Sequence, residues 1–427
     1  MLADTAVEAA SHPVKFGNSL VAESAADLRA VATSIFIKRI ALPVAPGPTE
    51  LDAARPTMDA GVLEREIATK AGNELEPAEI RLLVEGPVAL DALHRVIDGA
   101  VRRIDVLMYL WDSDPLGEEV AHHLAARAGP GLQVRVLVDG GGNLIDGLPK
   151  EASVADVNRV VCWLARQPYV EVVRSRNPVG RFDHRKLVIA DGQLAWSGGR
   201  NFTGPSFFEY HDLSFTLAGP LAGEMGEIFE DYWERQGGVS RPSPLPALPA
   251  LAPNAAARLV RTRPNRRQLA QVLYLAVDRA CHHVYVENPY LSDPLLVAKL
   301  ILARRRGADV RVVMTVNSDS KAVDGSNRVT ANRLLRAGVR VYLYPGLTHA
   351  KATTVDGLWA YLGTGNFDAL SLRHNRELGV AVGSGTLIAD LEKSLFFPDF
   401  RAEWELTKPL PLTAEDYFYD TVATLFL

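Results

Sequence analysis

Two stretches decide the reading of this chain: HRKLVIADGQLAWSGGRN at 184–201 and HAKATTVDGLWAYLGTGN at 349–366. Aligned on their first residues, they read His184-x-Lys186-x4-Asp191-x6-Gly198-Gly199-x-Asn201 and His349-x-Lys351-x4-Asp356-x6-Gly363-Thr364-x-Asn366. Matched residues lie 165 positions apart, and the register runs on to Asp212 and Glu377, each 28 residues past its histidine. With average residue usage, one such match is roughly a one-in-10⁷ event per start position. Two in one chain are not a coincidence of composition.

The spacing has physical content. In an extended run, residues i and i+2 share a face, so His184 and Lys186 emerge side by side, as do His349 and Lys351. Asp191-Gly192 and Asp356-Gly357 sit between β-type runs and read as hairpin turns. Gly198-Gly199 and Gly363 let the returning backbone approach closely, with Asn201 and Asn366 at its end. Each half thus presents His, Lys and Asn at one rim of a hairpin.

Working outward, both halves place Ser-Asp-Pro-Leu straight after a β-type run. Asp114 and Asp293 suit helix N-caps, and Pro115 and Pro294 suit the first helical position. Strand-like segments at 81–84, 105–110 and 133–138 alternate with helical ones at 89–101 and 116–128. After residue 255 the alternation restarts, with strands at 257–260, 284–287, 310–316 and 340–344 and helices at 268–280, 294–306 and 326–337. This pattern predicts an α/β fold of βαβ units with a mainly parallel sheet in each half. The expected division is an N-terminal helical or connector region of unknown role at 1–78, a first lobe at 79–240, a Pro-rich linker at 241–254 and a second lobe at 255–427.

Composition bounds the function. The 427 residues are 48% hydrophobic and 23% charged, as in a globular protein and unlike a disordered or coiled-coil chain. Cys162 and Cys281 are too few for a disulfide scaffold or a cysteine-rich zinc site. The net charge of −5 argues against a general nucleic-acid binder. No secretory signal is read at the N-terminus, and no run reaches 18 apolar residues, so the expectation is a cytoplasmic protein, at most peripheral to a membrane.

Paired His, Lys and Asn suit phosphate chemistry. Lysine offers a compact positive charge and asparagine amide donors for non-bridging oxygens. Imidazole serves as nucleophile or proton donor near neutral pH. Asp212 and Glu377 are the candidates to fix the ring tautomers. Asp191 and Asp356 join the candidate set, although Asp-Gly is also an ordinary turn and a structural role outweighs direct chemistry. No His, Cys and carboxylate set shows metal-ligand spacing, and the two lysines would repel a divalent ion. Neither a metal nor a cofactor is therefore expected.

Both motifs resemble the HKD motif of the phospholipase D superfamily, and the likeness runs from about residue 80 to the C-terminus. The surrounding text, including YVENPYL, GVRVYLYPG and NFDALSLRHNREL, is most similar to bacterial cardiolipin synthases and related phosphatidyltransferases. The resemblance implies a duplicated phospholipase D-like fold, two βα-sandwich lobes with one active site at their interface. It also implies a covalent phosphohistidine, with His184 as nucleophile and His349 as general acid. The implied reaction is phosphatidyl transfer between phospholipids without a cofactor. The alternatives are a phospholipase D hydrolase releasing phosphatidic acid and, behind it, a phosphodiesterase on DNA or RNA. Full-length cardiolipin synthases of the common type carry N-terminal membrane segments, which are not read here.

Other features carry bland and sharp readings. His122, His123, His282 and His283 read as solvated or core positions rather than ligands. Between 236 and 277 there are six arginines and no acid, either a solvated edge or a landing patch for anionic lipid. Phe202, Phe207, Phe208 and Tyr210 read as core, or as a rim dipping into a bilayer interface. The apolar C-terminus, 418–427, is expected to dock on its own domain.

Overall fold

The computed structural model describes residues 57–142, 159–177, 181–240, 250–264, 266–318 and 320–426. Most of the N-terminal region, and residues 241–249 of the expected linker, lie outside them. The chain divides into two compact units, 76–256 and 257–427, the second taking in the described part of 14–75.

The first unit contains β1 (Glu76–Val84), β2 (Arg103–Met108), β3 (Gln133–Val138), β4 (Val170–Arg174), β5 (Leu187–Ala190), β6 (Leu194–Gly198) and β7 (Leu213–Ala218), in the sheet order β1-β7-β6-β5-β2-β3-β4. Strands β2, β3 and β4 are parallel, whereas β1–β7, β7–β6, β6–β5 and β5–β2 are antiparallel. The sheet is therefore mixed, not mainly parallel. Crossover helices serve only β2 to β4, while the motif itself folds as a hairpin, which pairs its strands antiparallel.

Helices cover both faces. Leu93, Val96 and Ile97 of helix Gly86–Gly99 and Val120 and Leu124 of helix Pro115–Arg127 join Val106, Val134 and Val136 in one buried cluster. Against the opposite face lies helix Pro220–Arg235. Its Phe229 and Trp233 meet the Arg135 guanidinium at 5.1 and 5.4 Å, and Arg135 is itself paired with Asp105 and Glu230. Strands covered on both sides read as continuous apolar runs.

The second unit repeats this order. It holds β8 (Ala255–Arg263), β9 (Arg266–Arg267), β10 (His283–Glu287), β11 (Asp309–Met314), β12 (Arg340–Leu343), β13 (Ala352–Val355), β14 (Trp359–Gly363) and β15 (Glu377–Gly385). The order β8-β15-β14-β13-β10-β11-β12 matches the first sheet strand for strand, again with a parallel β10-β11-β12 half. Asp114 and Asp293 cap equivalent helices, each accepting at 2.8 Å from the backbone N–H of Gly117 and Leu296.

Helix Ala60–Ala71, to which the sequence assigned no role, buries Leu63, Ile67 and Ala71 in the core of this second unit beside Leu273, Ala276 and Val277. At the other terminus, helix Ala414–Phe426 docks on helix Lys321–Arg336 through Arg328–Asp416 and Arg333–Asp420 at 3.1 and 2.6 Å. Among the described residues no helix is long and apolar enough to cross a membrane.

Candidate active site

The motif histidines and lysines do not lie within strands; β5 and β13 begin one residue after Lys186 and Lys351. In the first motif the side-chain alternation nonetheless holds. Tyr109 meets the His184 ring at 4.7 Å and the Lys186 ammonium at 5.0 Å, so both lie on one side. The intervening Arg185 pairs with Asp183 and stacks over Tyr232, 4.8 Å from its ring, on helix Pro220–Arg235. Both lysines fold back, Lys186 Nζ donating to the His184 carbonyl oxygen at 2.7 Å and Lys351 Nζ to that of His349. The lysines are fully buried and the histidines nearly so. A buried lysine is thus anchored at the backbone of each histidine, where low solvent access strengthens the pull of its positive charge on an anion. Tyr109 was missed in the sequence. Its only signal is an aromatic just past the end of β2, the strand beside β5.

The two aspartates hold backbone. Asp191 accepts from the N–H groups of Val101, Arg102 and Arg103, all at 2.8 Å. Asp356 accepts from Cys281, His282 and His283 at 2.7–2.8 Å. Asp191 and Gly192 (φ 53° and 65°), like Asp356 and Gly357 (54° and 65°), are left-handed, as a type I′ hairpin turn requires. Each aspartate therefore ties the far end of its motif hairpin to the start of β2 or β10. With both oxygens so engaged, these residues position the hairpin.

At the near end, glycines make room. A Cβ on Gly198 would stand 2.5 Å from Leu213 O, and one on Gly363 2.5 Å from Gly379 Cα. At the next position the halves diverge together. A Cβ on Gly199 would lie 2.2 Å from Asp212 Oδ1, whereas Thr364 Oγ1 donates to Glu377 Oε2 at 2.5 Å. The shorter acid is accommodated by glycine and the longer one is held by a hydroxyl. Asp212 and Glu377 are fully buried. Asn201 Oδ1 accepts from the Leu110 N–H at 3.3 Å; Asn366 Oδ1 is buried without a partner among the described residues. Beyond the asparagines, Phe202 and Phe367 bridge to Trp111 and Leu291, which brings the Ser-Asp-Pro turns beside the motifs. Asp114 also accepts from Gly204 N–H, and Asp293 from Arg373 and Tyr274.

Burial raises several carboxyls. Asp139, at the end of β3, is pushed up because desolvation outweighs its donors. Asp112 is pushed up to about 6 by burial and by Asp114, and Asp368, two residues after Asn366, to about 7 by burial.

Two of the six arginines of the expected patch are engaged within the fold. Arg258 is fully buried, ion-paired with Glu64 and bonded to Asn73 O, and Arg266 donates to Ala71 O. The aromatic segment divides: Phe202 and Phe207 are buried, Tyr210 is half-buried and Phe208 is 63% exposed. His122 faces Trp163, and His283 pairs with Glu392 at 2.9 Å.

The family model described as cardiolipin synthase, PLD-like domain, matches residues 93–233 and 274–396, one block in each unit. The chain belongs to this phospholipase D-like family. Among curated members of known name, cardiolipin synthase A of Escherichia coli O157:H7 (strain EC4115 / EHEC) is 30% identical over 350 residues, spanning 76% of this chain and 69% of that protein. Cardiolipin synthase A of Shigella boydii serotype 4 (strain Sb227) matches to the same extent. Of solved structures, phosphatidylserine synthase from Haemophilus influenzae Rd KW20 aligns with TM-score 0.66 and 16% identity, covering 86% of this chain and all of that one. Polyphosphate kinase from Porphyromonas gingivalis aligns with TM-score 0.52 and 13% identity, covering 80% of this chain and 55% of that one. Those two likenesses are of fold. The duplicated phospholipase D-like architecture carries the two repeated motifs on equivalent hairpins, each with a buried lysine bonded to the carbonyl oxygen of its histidine.

Proposed function

We propose that this protein is a phospholipid phosphatidyltransferase, cardiolipin synthase-like, in which both motifs serve one catalytic cycle. His184 attacks the phosphorus of a phospholipid, a P–O bond to the leaving alcohol breaks, and His349 protonates that alcohol. An incoming hydroxyl, deprotonated by His349, then displaces His184 and restores the free enzyme. Lys186, Lys351, Asn201 and Asn366 stabilise the charge on the phosphoryl oxygens, and Asp212 and Glu377 hold the imidazole tautomers. The observation that carries this reading is the repetition of His, Lys and Asn on equivalent hairpins of two sheets with the same strand order, in a chain whose relatives are named cardiolipin synthases. The protein works at an anionic membrane surface as a peripheral enzyme of the cytoplasm, with exposed Phe208, just past the first motif, entering the interface.

The test is purified protein on phosphatidylglycerol vesicles, with and without a primary alcohol, products resolved by mass. The expected result is cardiolipin and, with alcohol, phosphatidyl-alcohol at unchanged total turnover. Phosphatidic acid alone at every alcohol concentration would establish the hydrolase instead. Nicking of a supercoiled plasmid with no action on lipid would establish the nuclease.

A further inference from the structure

The two motif asparagines are held differently. In the first unit Asn201 Oδ1 accepts from the Leu110 N–H at 3.3 Å, so its side chain ties the motif to the segment that follows β2. Leu110 and Tyr290 are equivalent. The Phe202 N–H donates to the Leu110 carbonyl oxygen at 3.1 Å, and the Phe367 N–H to that of Tyr290 at 3.0 Å. The Tyr290 N–H, however, does not go to Asn366. It donates to Asn288 Oδ1 at 3.2 Å, as the Phe367 N–H does at 3.0 Å, and Asn288 Nδ2 donates to the Gly365 carbonyl oxygen at 3.4 Å. Asn288 therefore grips the backbone on both sides of Asn366. It is fully buried, two residues before Tyr290, where the first unit has Met108 two residues before Leu110.

The tether that Asn201 makes with its own amide has thus passed to a neighbour, and the Asn366 side chain is released from it. Asn366 is only 6% exposed, and its Oδ1 is buried without a partner among the described residues. A buried acceptor left unpaired costs the fold, so a donor that pairs with it on binding relieves that cost. Phosphoryl oxygens are acceptors themselves and cannot supply the hydrogen, whereas hydroxyl groups can. In the transfer scheme the reacting hydroxyl gives its single hydrogen to His349. The hydrogen for Asn366 Oδ1 must then come from a second hydroxyl on the same acceptor, while Asn366 Nδ2 stays available to a phosphoryl oxygen. Untethered, the amide can turn about its Cβ–Cγ bond to meet that group.

We infer that Asn366 Oδ1 reads a second, neighbouring hydroxyl on the acceptor alcohol, and that Asn288 is the positioning residue that keeps it free to do so. This selectivity rests on the phosphatidyltransferase reading above and deepens it. Asn201 serves the phosphoryl group alone, whereas Asn366 also selects a vicinal diol over a mono-alcohol. A site built to accept from a substrate hydroxyl discriminates against the analogue that lacks it. The sequence hid the difference because both asparagines stand at the same motif position and Asn288 lies far upstream of the second.

The experiment gives the full-length protein phosphatidylglycerol vesicles with propylene glycol and n-propanol at equal concentration, and resolves the two phosphatidyl-alcohols by mass. The two acceptors differ by one hydroxyl. Wild type is expected to form the diol product in about tenfold excess or more. Asn288→Met installs the first unit's residue and returns the Tyr290 N–H to Asn366, so the product ratio should fall to near one. Asn288→Ala, which opens space instead of filling it, should do the same and decides the matter if the methionine variant does not fold. Asn366→Ala should lose the preference as well, whereas Asn201→Ala should slow turnover and keep the ratio. A merely structural role would slow both products alike. Equal transfer to both alcohols by wild type, a wild-type ratio in either folded Asn288 variant, or a preference lost equally in Asn201→Ala would each overturn the selectivity and leave the transferase reading standing. Phosphatidic acid alone from wild type would overturn the transferase reading, and the selectivity with it.

Discussion

The backbone N–H of Asp183 donates to Asp139 Oδ2 at 2.8 Å, one residue before His184. The same carboxylate gathers Gly141 N, Gly142 N, Ser175 Oγ and Asn177 Nδ2 at 2.6–3.1 Å, so the end of β3, the loop after β4 and the His184 segment converge on one buried group. In the second unit Thr315, just past β11, does a smaller version of this work, donating to Gly346 O at 2.9 Å upstream of His349.

Asp139 is therefore a positioning residue for His184. In Asp139→Asn the amide group cannot accept all the bonds that the carboxylate takes, and the His184 segment loses its tether. The expected outcome is a fall of about tenfold or more in kcat with little change in KM, because geometry at the reacting atom is lost while lipid binding is kept. Parallel losses in kcat and folded fraction, measured by circular dichroism, would reduce the role to stability.

Asp191 and Asp356 should separate stability from chemistry. Removing either carboxylate leaves three backbone N–H groups without their acceptor, each costing about 1–3 kcal/mol if it stays dry. Alanine is also strained at a φ of 53° or 54°. Asp191→Ala and Asp356→Ala are expected to melt well below wild type by calorimetry, while the fraction that remains folded keeps most of its specific activity. A folded, wild-type-stable Asp191→Asn without turnover would assign the residue to the chemistry instead.

The histidines should fail as a unit. His184→Ala and His349→Ala are each expected to remove nearly all turnover, and the double variant to be scarcely worse, since one catalytic cycle needs both. In His349→Ala the phosphatidyl group should accumulate as an acid-labile, base-stable mass shift on the peptide containing His184. A label on the His349 peptide in His184→Ala would reverse the roles.

Most of the fold was legible because strand-helix alternation and the Asp-Pro helix starts are local signals. β3 spans the predicted residues 133–138, and helix Gln268–Arg279 falls one residue short of the predicted end. The sheet's mixed direction was hidden in the opposite sense from its strands. Asp191-Gly192 and Asp356-Gly357 announced hairpins, and giving those hairpins their full weight would have predicted the antiparallel half. The candidate site's covalent pattern was legible, but its supports were not. Tyr109 and Asp139 support the His184 segment through tertiary contacts that no spacing encodes. Arg258 misled because charge in a sequence reads as surface, whereas Glu64, almost two hundred positions away, compensates it in the core. The exchange of Gly199 and Asp212 for Thr364 and Glu377 shows how a duplicated site drifts: each pair fits within its own hairpin, and neither member fits the other half alone.

Asp368 offers a pH test of the second unit. It is buried two residues past Asn366, accepts from the Ser371 N–H at 2.7 Å, and burial pushes its carboxyl up to about 7. In the unfolded chain the same group titrates at the ordinary value near 4. Between these values the native state holds a proton that the unfolded state has lost, so the group's contribution is fully present below about pH 4 and is lost as pH rises through about 7. A difference of about three units corresponds to up to about 4 kcal/mol at the alkaline end. Asp368→Asn keeps the acceptor for Ser371 and cannot ionise. It is expected to be close to wild type in urea unfolding at pH 4 and more stable than wild type at pH 8, with the gap opening across that interval. A gap of constant size from pH 4 to 8 would mean that the Asp368 carboxyl titrates alike in both states, and equal stability throughout would mean that its ionisation is compensated within the fold.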